Sequence, residues 1–334
     1  MLAADIRDRA RRQLDDLLPS YLRPAGDDVW TFPGGGRLRV AVRSALTPRD
    51  VDGLDDDPAT LVLAPWLSPR SRELLDRRGY SYVDLTGNVC LRIERPPVYV
   101  KLQGADRDPA PAARPPARLN GPRARRLIRW LVDVAPPYRL TDLSRASGLS
   151  KGYVSTLLEA MVDTALIERD RRGSVRDVDW PALLAAGAEG YQLQRNNAVG
   201  TYVAPGGPGA LYRRLADPDA PRAVVTGSFA AAAVAPIAVP AQLVVYAPDP
   251  AAMQRFGRLL PAERGADVLI LQAEDELSQL AGTRTLDGIE HVAVSQLVMD
   301  CLGGNGRLPE EAAALFDWMR ADPPAWRRQR LPAP

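Results

Sequence analysis

The sequence has few of the residues that form disulfide frameworks or metal centres. It contains two cysteines, Cys90 and Cys301, and one histidine, His291, in 334 residues. The cysteines lie far apart within apolar stretches, which predicts two buried thiols in a reducing compartment and no disulfide framework. His291 has no cysteine or histidine nearby in the chain, so we expect no zinc site and no metal or other cofactor.

Long uncharged apolar runs are also scarce. The first 18 residues carry Asp and Arg throughout and have no apolar core, so we expect no signal peptide. The most apolar stretch, 229–248, is rich in alanine and is interrupted by Pro236, Pro240 and Gln242. A buried helix followed by a buried strand explains this stretch better than a membrane span. We therefore expect a cytoplasmic protein without membrane contact.

Lysine is almost absent, since 41 of the 43 basic residues are arginine, a bias typical of GC-rich coding sequence. The net charge is only +2, so the surface as a whole is not polycationic. The basic residues nevertheless concentrate in the middle of the chain, where residues 111–180 hold 13 Lys/Arg against 8 Asp/Glu. This distribution indicates that one module, and not the entire surface, faces a polyanion such as nucleic acid.

The patterning of apolar residues predicts a mixed α/β (α+β) protein with three folded segments. Residues 1–104 are predicted to form a small α/β domain and residues 105–121, rich in Pro, Ala and charge, a linker. Residues 122–188 are predominantly helical in pattern, residues 189–321 alternate helices with apolar strands, and residues 322–334 are predicted to be a disordered tail.

The predicted elements of the two flanking segments follow from periodicity and capping. In the first segment they are helices at 6–18 and 68–78, the latter capped by Ser68, and strands at 37–42, 60–64, 81–85, 89–93 and 98–102. In the last segment they are strands at 223–226, 242–247 and 267–272 and helices at 209–216, 228–234, 250–260, 295–302 and 309–320.

The middle segment has the pattern of a winged helix-turn-helix. A helix at 123–134 has an apolar face opposite its arginines, and a short helix follows at 140–147. The turn Gly148-Leu149-Ser150 comes next, where Gly148 can adopt a left-handed conformation and Ser150 can cap a third helix at 151–165. Helix, short helix, glycine turn and helix is the order of a helix-turn-helix. The hairpin at 169–176, with its tip at 172–174, is then the wing.

This fold predicts which residues contact DNA. The start of the third helix enters the major groove, where Lys151 can bond guanine, Ser155 and Thr156 a base or phosphate, and Tyr153 a phosphate or thymine methyl. Wing arginines suit phosphates or the narrow minor groove. The predicted DNA-binding residues are Lys151, Gly152, Tyr153, Ser155, Thr156, Arg169, Arg171, Arg172, Arg176, Arg123 and Arg126. The alternative is a winged helix that serves only as a protein interface.

Two short motifs raise the alternative of a magnesium-dependent enzyme acting on nucleic acid. Asp84, followed by a strand with Lys101, has the order of a restriction-endonuclease-like core. The position expected for the second carboxylate is Tyr99, and Glu94 is out of register, so we expect an inactive domain in which Asp84 and Asn88 form a turn.

The second motif is Gly227-Ser228, which leads into an alanine-rich helix and resembles the opening of a nucleotidyltransferase core. Such enzymes need two carboxylates on the next strand to hold two magnesium ions. The strand at 242–246 has none. We therefore expect no catalytic residues and no enzymatic activity, with a nuclease or a nucleotidyltransferase-related enzyme as the alternative.

Three patches of the chain resemble AbiEi-type antitoxins, the DNA-binding repressors of type IV toxin–antitoxin systems. They are 61–101 with its Asp84-x-x-Gly87-Asn88 turn, the winged helix-turn-helix, and 226–231 with 267–319. The resemblance implies a repressor of its own operon and a C-terminal domain that opposes a nucleotidyltransferase-like toxin without a stable complex. The expected partner is double-stranded DNA, bound by a homodimer or at tandem sites. The chain departs from the family in its length and its additional N-terminal domain.

Overall fold

The computed structural model describes residues 3–19, 21–26, 28–33, 35–55, 57–95, 97–109, 117–237 and 239–331. They form a mixed α/β structure, as the sequence predicts. The chain divides into two compact units. The first contains the described residues before 117 together with Ala160–Ala165, and the second contains 117–159 and the described residues from 166 onwards.

The first unit is built on one seven-stranded sheet. Its helices are α1 (Ala3–Leu17), a 3₁₀ helix (Pro48–Gly53) and α2 (Pro69–Arg77). Its strands are β1 (Arg23–Pro24), β2 (Val29–Thr31), β3 (Arg37–Val42), β4 (Thr60–Ala64), β5 (Ser81–Asp84), β6 (Val89–Ile93) and β7 (Val98–Leu102). The strands lie in chain order from β1 to β7; the β3–β4 and β4–β5 pairs are parallel, and the others are antiparallel.

Side chains alternate between the two faces of this sheet along its central strands, and both faces are buried. Leu61 and Leu63 of β4 belong to the core on the side of α1, whose Ile6 is fully buried there. Val62 belongs to the opposite core, which contains Leu75 of α2. The Ser68 hydroxyl caps α2 by accepting a hydrogen bond from the backbone N–H of Ser71 at 3.0 Å, as predicted.

The second unit contains the remaining elements of the described chain, except that residues 160–163, the end of one helix, belong to the first unit. Its helices are α3 (Pro122–Asp133), α4 (Leu140–Ser147), α5 (Lys151–Asp163), α6 (Trp180–Ala188), α7 (Leu193–Asn196), α8 (Pro208–Arg214), α9 (Gly227–Ala232), α10 (Pro250–Gly257), α11 (Glu276–Gln279), α12 (Val294–Leu302), α13 (Leu308–Ala321) and α14 (Pro323–Trp326). Its strands are β8 (Ile167–Arg169), β9 (Val175–Val178), β10 (Ala198–Val203), β11 (Val224–Thr226), β12 (Leu243–Tyr246), β13 (Leu260–Pro261), β14 (Val268–Gln272), β15 (Arg284–Leu286) and β16 (Ile289–His291).

Strands β10 to β16 form a second seven-stranded sheet with the order β13-β10-β14-β12-β11-β16-β15. The β12–β14 and β11–β16 pairs are parallel, and the others are antiparallel. Strands β8 and β9 form a separate hairpin. The apolar stretch at 229–248 contains the end of α9 and the whole of β12, which are buried as predicted. No helix within the described ranges is both long and apolar enough to cross a bilayer.

The helical middle segment packs against the segment that follows it. Leu127, Ile128 and Leu131 of α3 are fully buried, and α3 packs against both α6 and α12. A Cβ added at Gly187 of α6 would lie 2.8 Å from the side chain of Met299 on α12, so glycine permits this close approach. Apart from residues 160–165, the segments 122–188 and 189–321, which we predicted as separate domains, therefore lie in one compact unit.

The prediction of a disordered tail is wrong for residues 322–331. Trp326 of α14 is buried, its indole N–H donates to the carbonyl of Met319 at 2.9 Å, and its ring meets that of Trp180 edge-on. Backbone hydrogen bonds join Arg328 to Asp133 and Ala135. Sequence composition missed this segment because one buried tryptophan anchors an otherwise polar stretch. Residues 332–334 lie outside the described residues.

The predicted linker is also shorter than 105–121. The carbonyl of Ala105 accepts hydrogen bonds from Asn88 and Trp66, and Asp106 forms an ion pair with Arg72 at 2.6 Å. The first two residues of the linker therefore belong to the first unit. Its central residues, 110–116, lie outside the described part of the chain.

Candidate nucleic-acid interface

A tight turn joins α4 to α5. Gly148 has a φ of +66°, the left-handed conformation predicted for it. The Ser144 hydroxyl donates to the carbonyl of Leu149 at 2.6 Å across this turn. The Ser150 hydroxyl accepts a hydrogen bond from the backbone N–H of Tyr153 at 3.3 Å, so the predicted N-cap of α5 is confirmed. These bonds fix where α5 begins.

Helix α5 has a buried face and an exposed face. Val154, Leu157, Leu158 and Met161 are fully buried at spacings of three and four residues. The predicted contact residues lie on the other side: Lys151, Gly152 and Thr156 are exposed, and Tyr153 and Ser155 are half-buried.

Two hydroxyls on the exposed face of α5 already have partners. The Thr156 hydroxyl donates to the carbonyl of Gly152 at 3.1 Å, and the Ser155 hydroxyl donates to Oε1 of Glu159 at 3.0 Å. Lys151 forms no ion pair with any residue in the described part of the chain. Its ammonium group is therefore the cation that this helix end presents to solvent.

The hairpin after α5 is shaped by one carboxylate. Oδ1 of Asp170 accepts hydrogen bonds from the backbone N–H groups of Arg172 and Ser174, both at 2.9 Å, and Oδ2 accepts one from Nε of Arg176 at 2.7 Å. The hydrogen bond from the Arg176 guanidinium is the main reason that the pKa of Asp170 lies below its usual range. Gly173, at a φ of +81°, completes the turn.

The four predicted wing arginines are not equivalent. Arg169 donates from Nε to the carbonyl of Gly173 at 2.9 Å, and Arg176 is paired with Asp170. Both therefore hold the hairpin together. Arg171 and Arg172 are exposed at the tip, and neither forms an ion pair within the residues that the structure describes. The tip thus offers two guanidinium groups to a polyanion.

The two predicted contact residues of α3 differ as well. Arg123 is exposed. Arg126 is mostly buried, forms an ion pair with Asp275 at 2.6 Å and donates to the carbonyl of Ser147 at 3.2 Å. Its guanidinium is occupied by the protein itself in this structure, which disfavours the DNA contact predicted for it.

Two neighbouring arginines of α3, which sequence reasoning did not single out, have the same structural role. Arg125 forms an ion pair with Glu274 at 2.7 Å and stacks on the ring of Tyr191. Arg129 is buried and donates from Nε to the Ser295 hydroxyl at 3.1 Å. The hydrogen-bonding partners Glu274 and Ser295 lie 149 and 166 residues further along the chain, so no local pattern could identify them.

Asp84 in the first unit has the turn-forming role that the sequence predicts. The fully buried carboxylate accepts hydrogen bonds from the backbone N–H groups of Leu67, Thr86 and Asn88 and from the Asn88 side chain at 2.8 Å. Lys101 pairs instead with Asp76 at 2.6 Å. The hydrogen bonds that define the turn therefore occupy both carboxylate oxygens of Asp84.

A buried polar cluster lies beside the Gly227-Ser228 motif. Asp300 of α12 is fully buried and accepts hydrogen bonds from the hydroxyls of Thr226, Tyr191 and Tyr246 at 2.6 to 3.1 Å and from the Gln296 amide at 2.7 Å. Burial raises the pKa of Asp300 above its usual value. No local sequence pattern identifies this cluster, because Thr226, Tyr191 and Tyr246 lie far from Asp300 in the chain.

The buried thiols of Cys90 and Cys301 are both free, as predicted. Within the described ranges, no group of three or more His, Cys, Asp and Glu side chains lies close enough together to hold a metal ion. Comparison with known proteins finds no family model, no curated protein and no solved structure that matches this chain.

Proposed function

We propose that the chain is a sequence-specific, double-stranded DNA-binding transcriptional regulator, with a winged helix-turn-helix at 122–188. Helix α5 would lie in the major groove and the β8–β9 hairpin on phosphates or in the minor groove. The observation that carries this proposal is that the cations of α5 and of the hairpin tip are exposed, while those of α3 are mostly occupied by the protein.

The chemistry of α5 suits the major groove. That groove is about 12 Å wide and admits one helix. Gly152, at the start of α5, has no side chain, so the helix backbone can approach base edges closely. Lys151 can donate to the O6 and N7 acceptors of guanine. With their present hydrogen bonds, the Ser155 and Thr156 hydroxyls can each accept a hydrogen bond from a base. Donation to a phosphate would instead require them to leave Glu159 and Gly152.

The hairpin supports the proposal because it is held in a fixed position. Tyr138, between α3 and α4, pairs with Val175 of β9 through two backbone hydrogen bonds of 3.0 and 3.1 Å. This isolated β-bridge ties the hairpin to the segment between the first two helices of the module. Arg171 and Arg172 are thus presented to the phosphate backbone from a rigid support, which reduces the entropy lost on binding.

The resemblance to AbiEi-type antitoxins suggests the first targets. A repressor of that kind acts in the cytoplasm, binds the promoter of its own operon as a homodimer or at tandem sites, and is encoded beside a nucleotidyltransferase-like toxin. The upstream region of the chain's own gene is therefore the first DNA to test.

The proposal is tested by selecting bound fragments from a random duplex library and titrating the best site by gel shift at several salt concentrations. We expect one motif, bound at least about 10³-fold more tightly than random duplex. Lys151→Ala and Arg172→Ala should each weaken that binding. Weak, steeply salt-dependent binding without a motif, or unchanged affinity in both variants, would contradict the proposal.

A further inference from the structure

The exposed face of α5 carries one feature that phosphate binding does not explain. Glu159 lies two turns after Lys151, is exposed, and forms no ion pair with any described residue. A carboxylate placed near a phosphate backbone is repelled by it. An acidic side chain on this surface therefore lowers general affinity for DNA unless it has a partner there.

The position of Glu159 places it on the same side of α5 as the residues that the proposed function assigns to DNA. Residues 151, 155 and 159 follow one another at intervals of four, so each is displaced by one turn, or roughly 6 Å, along the helix. Lys151 and Glu159 are thus about 12 Å apart along the axis, a span of about three to four base pairs.

The carboxylate of Glu159 is also held in place. The Ser155 hydroxyl donates to Oε1 at 3.0 Å, which leaves Oε2 without a hydrogen-bond donor in the described residues. A side chain restrained on one oxygen loses less rotamer entropy when the other oxygen binds a ligand. The arrangement suits an acceptor that is directed at one donor group.

We propose that Glu159 is a specificity-determining residue that accepts a hydrogen bond from the N4 amino group of a cytosine in the major groove. This inference depends on the proposed function. Cytosine presents the N4 amino donor in that groove, whereas guanine presents only acceptors. Adenine presents its N6 donor beside the N7 acceptor, which would face the carboxylate and repel it. The Glu159 carboxylate thus disfavours base edges that present acceptors. It also repels DNA at sites that lack the amino donor.

The test is a selection from a random duplex library with four proteins: wild type, Glu159→Ala, Glu159→Gln and the control Glu263→Ala. Glu263 is an exposed carboxylate in the loop after β13, so its loss changes the net charge equally. We expect the wild-type motif to contain a cytosine whose preference falls about tenfold in Glu159→Ala. In Glu159→Gln the same position should move towards adenine, because an amide can bond both N6 and N7.

The outcomes separate the inference from the proposed function. A wild-type chain that selects no motif overturns both. A wild-type motif that both Glu159 variants reproduce at every position overturns only the role of Glu159. A change confined to positions occupied by A·T or T·A pairs does the same, because those pairs contain no cytosine. Thermal melting of each variant checks folding, and we expect no shift because the side chain is exposed.

Discussion

Arg126 on α3 and Asp275, at the start of α11, lie 149 residues apart in the chain and form a mostly buried ion pair at 2.6 Å. The same guanidinium reaches the carbonyl of Ser147 at the end of α4. One side chain therefore joins the first two helices of the proposed DNA-binding module to the α/β part of the second unit.

This pair predicts a loss of stability, and not of DNA binding, when Arg126 is removed. Arg126→Ala removes the buried ion pair with Asp275 and the hydrogen bond to the carbonyl of Ser147, so the free energy of unfolding should fall by about 1–3 kcal/mol. Urea denaturation measures this change. The exposed neighbour Arg123 is the matched control, and Arg123→Ala should leave stability unchanged. A variant Arg126→Ala of normal stability whose salt slope for DNA drops by about one would contradict the assignment.

The hairpin tip predicts a uniform loss of DNA affinity. Arg172→Ala removes one exposed guanidinium, so binding to all sequences should weaken by a similar factor and the dependence of log K on log salt should flatten by about one. Gel shifts at several salt concentrations measure the slope. Arg255→Ala, an exposed arginine on α10, should leave it unchanged. A weakening confined to one base position would mean that Arg172 contacts a base instead of a phosphate.

The hydrogen bonds of Asp84 predict that its removal lowers stability and abolishes no catalytic activity. Asp84→Ala would leave the buried N–H of Leu67 and the turn N–H groups without their acceptor, so the free energy of unfolding should fall by about 2–3 kcal/mol. We also expect no cleavage of duplex DNA by the wild-type chain with magnesium. Magnesium-dependent nicking that disappears in a folded Asp84→Ala variant would show a nuclease.

Asp300 predicts a specific dependence of stability on pH. Burial raises its pKa in the folded state, so the folded chain holds this proton at pH values at which the unfolded chain, with a pKa of about 3.9, has lost it. The contribution of Asp300 to stability should therefore fall as pH rises from about 4 towards its folded-state pKa.

The variant Asp300→Asn cannot ionise and is the reference for this measurement. Urea denaturation of both proteins at about pH 4.5 and pH 7 gives the difference in their free energies of unfolding. We expect wild type to be relatively more stable at the lower pH. A difference that stays constant, or that grows as pH rises, would mean that the hydrogen bonds from Thr226, Tyr191 and Tyr246 outweigh burial.

Local structure in the proposed module could be predicted from sequence because local chemistry determines it. Helix α4 has its predicted bounds, α5 begins at Lys151 as expected, and Gly148 has the conformation that the turn requires. The same holds for β3, β4 and β7, whose residues alternate or form short apolar runs between turns.

Several features that the sequence did not reveal depend on distant residues. The strands β10 and β16 have weak patterns, and their sheet neighbours β14 and β11 lie far away in the chain. Arg126 has the residue type and the helix position expected of a DNA contact. Only its tertiary partner Asp275 distinguishes it from Arg123. The ordered end of the chain likewise depends on Trp326, which packs against Trp180.

The arginines of α3 have a consequence for how binding preferences can change in such a chain. Arg125, Arg126 and Arg129 are each bonded to the α/β part of the second unit. Residues 122–188 therefore cannot be exchanged as an independent module. A chimera that exchanged this segment would lose the anchoring partners of its first helix. New preferences are therefore more accessible through single substitutions on the outer surface of α5, which leave every one of those anchors intact.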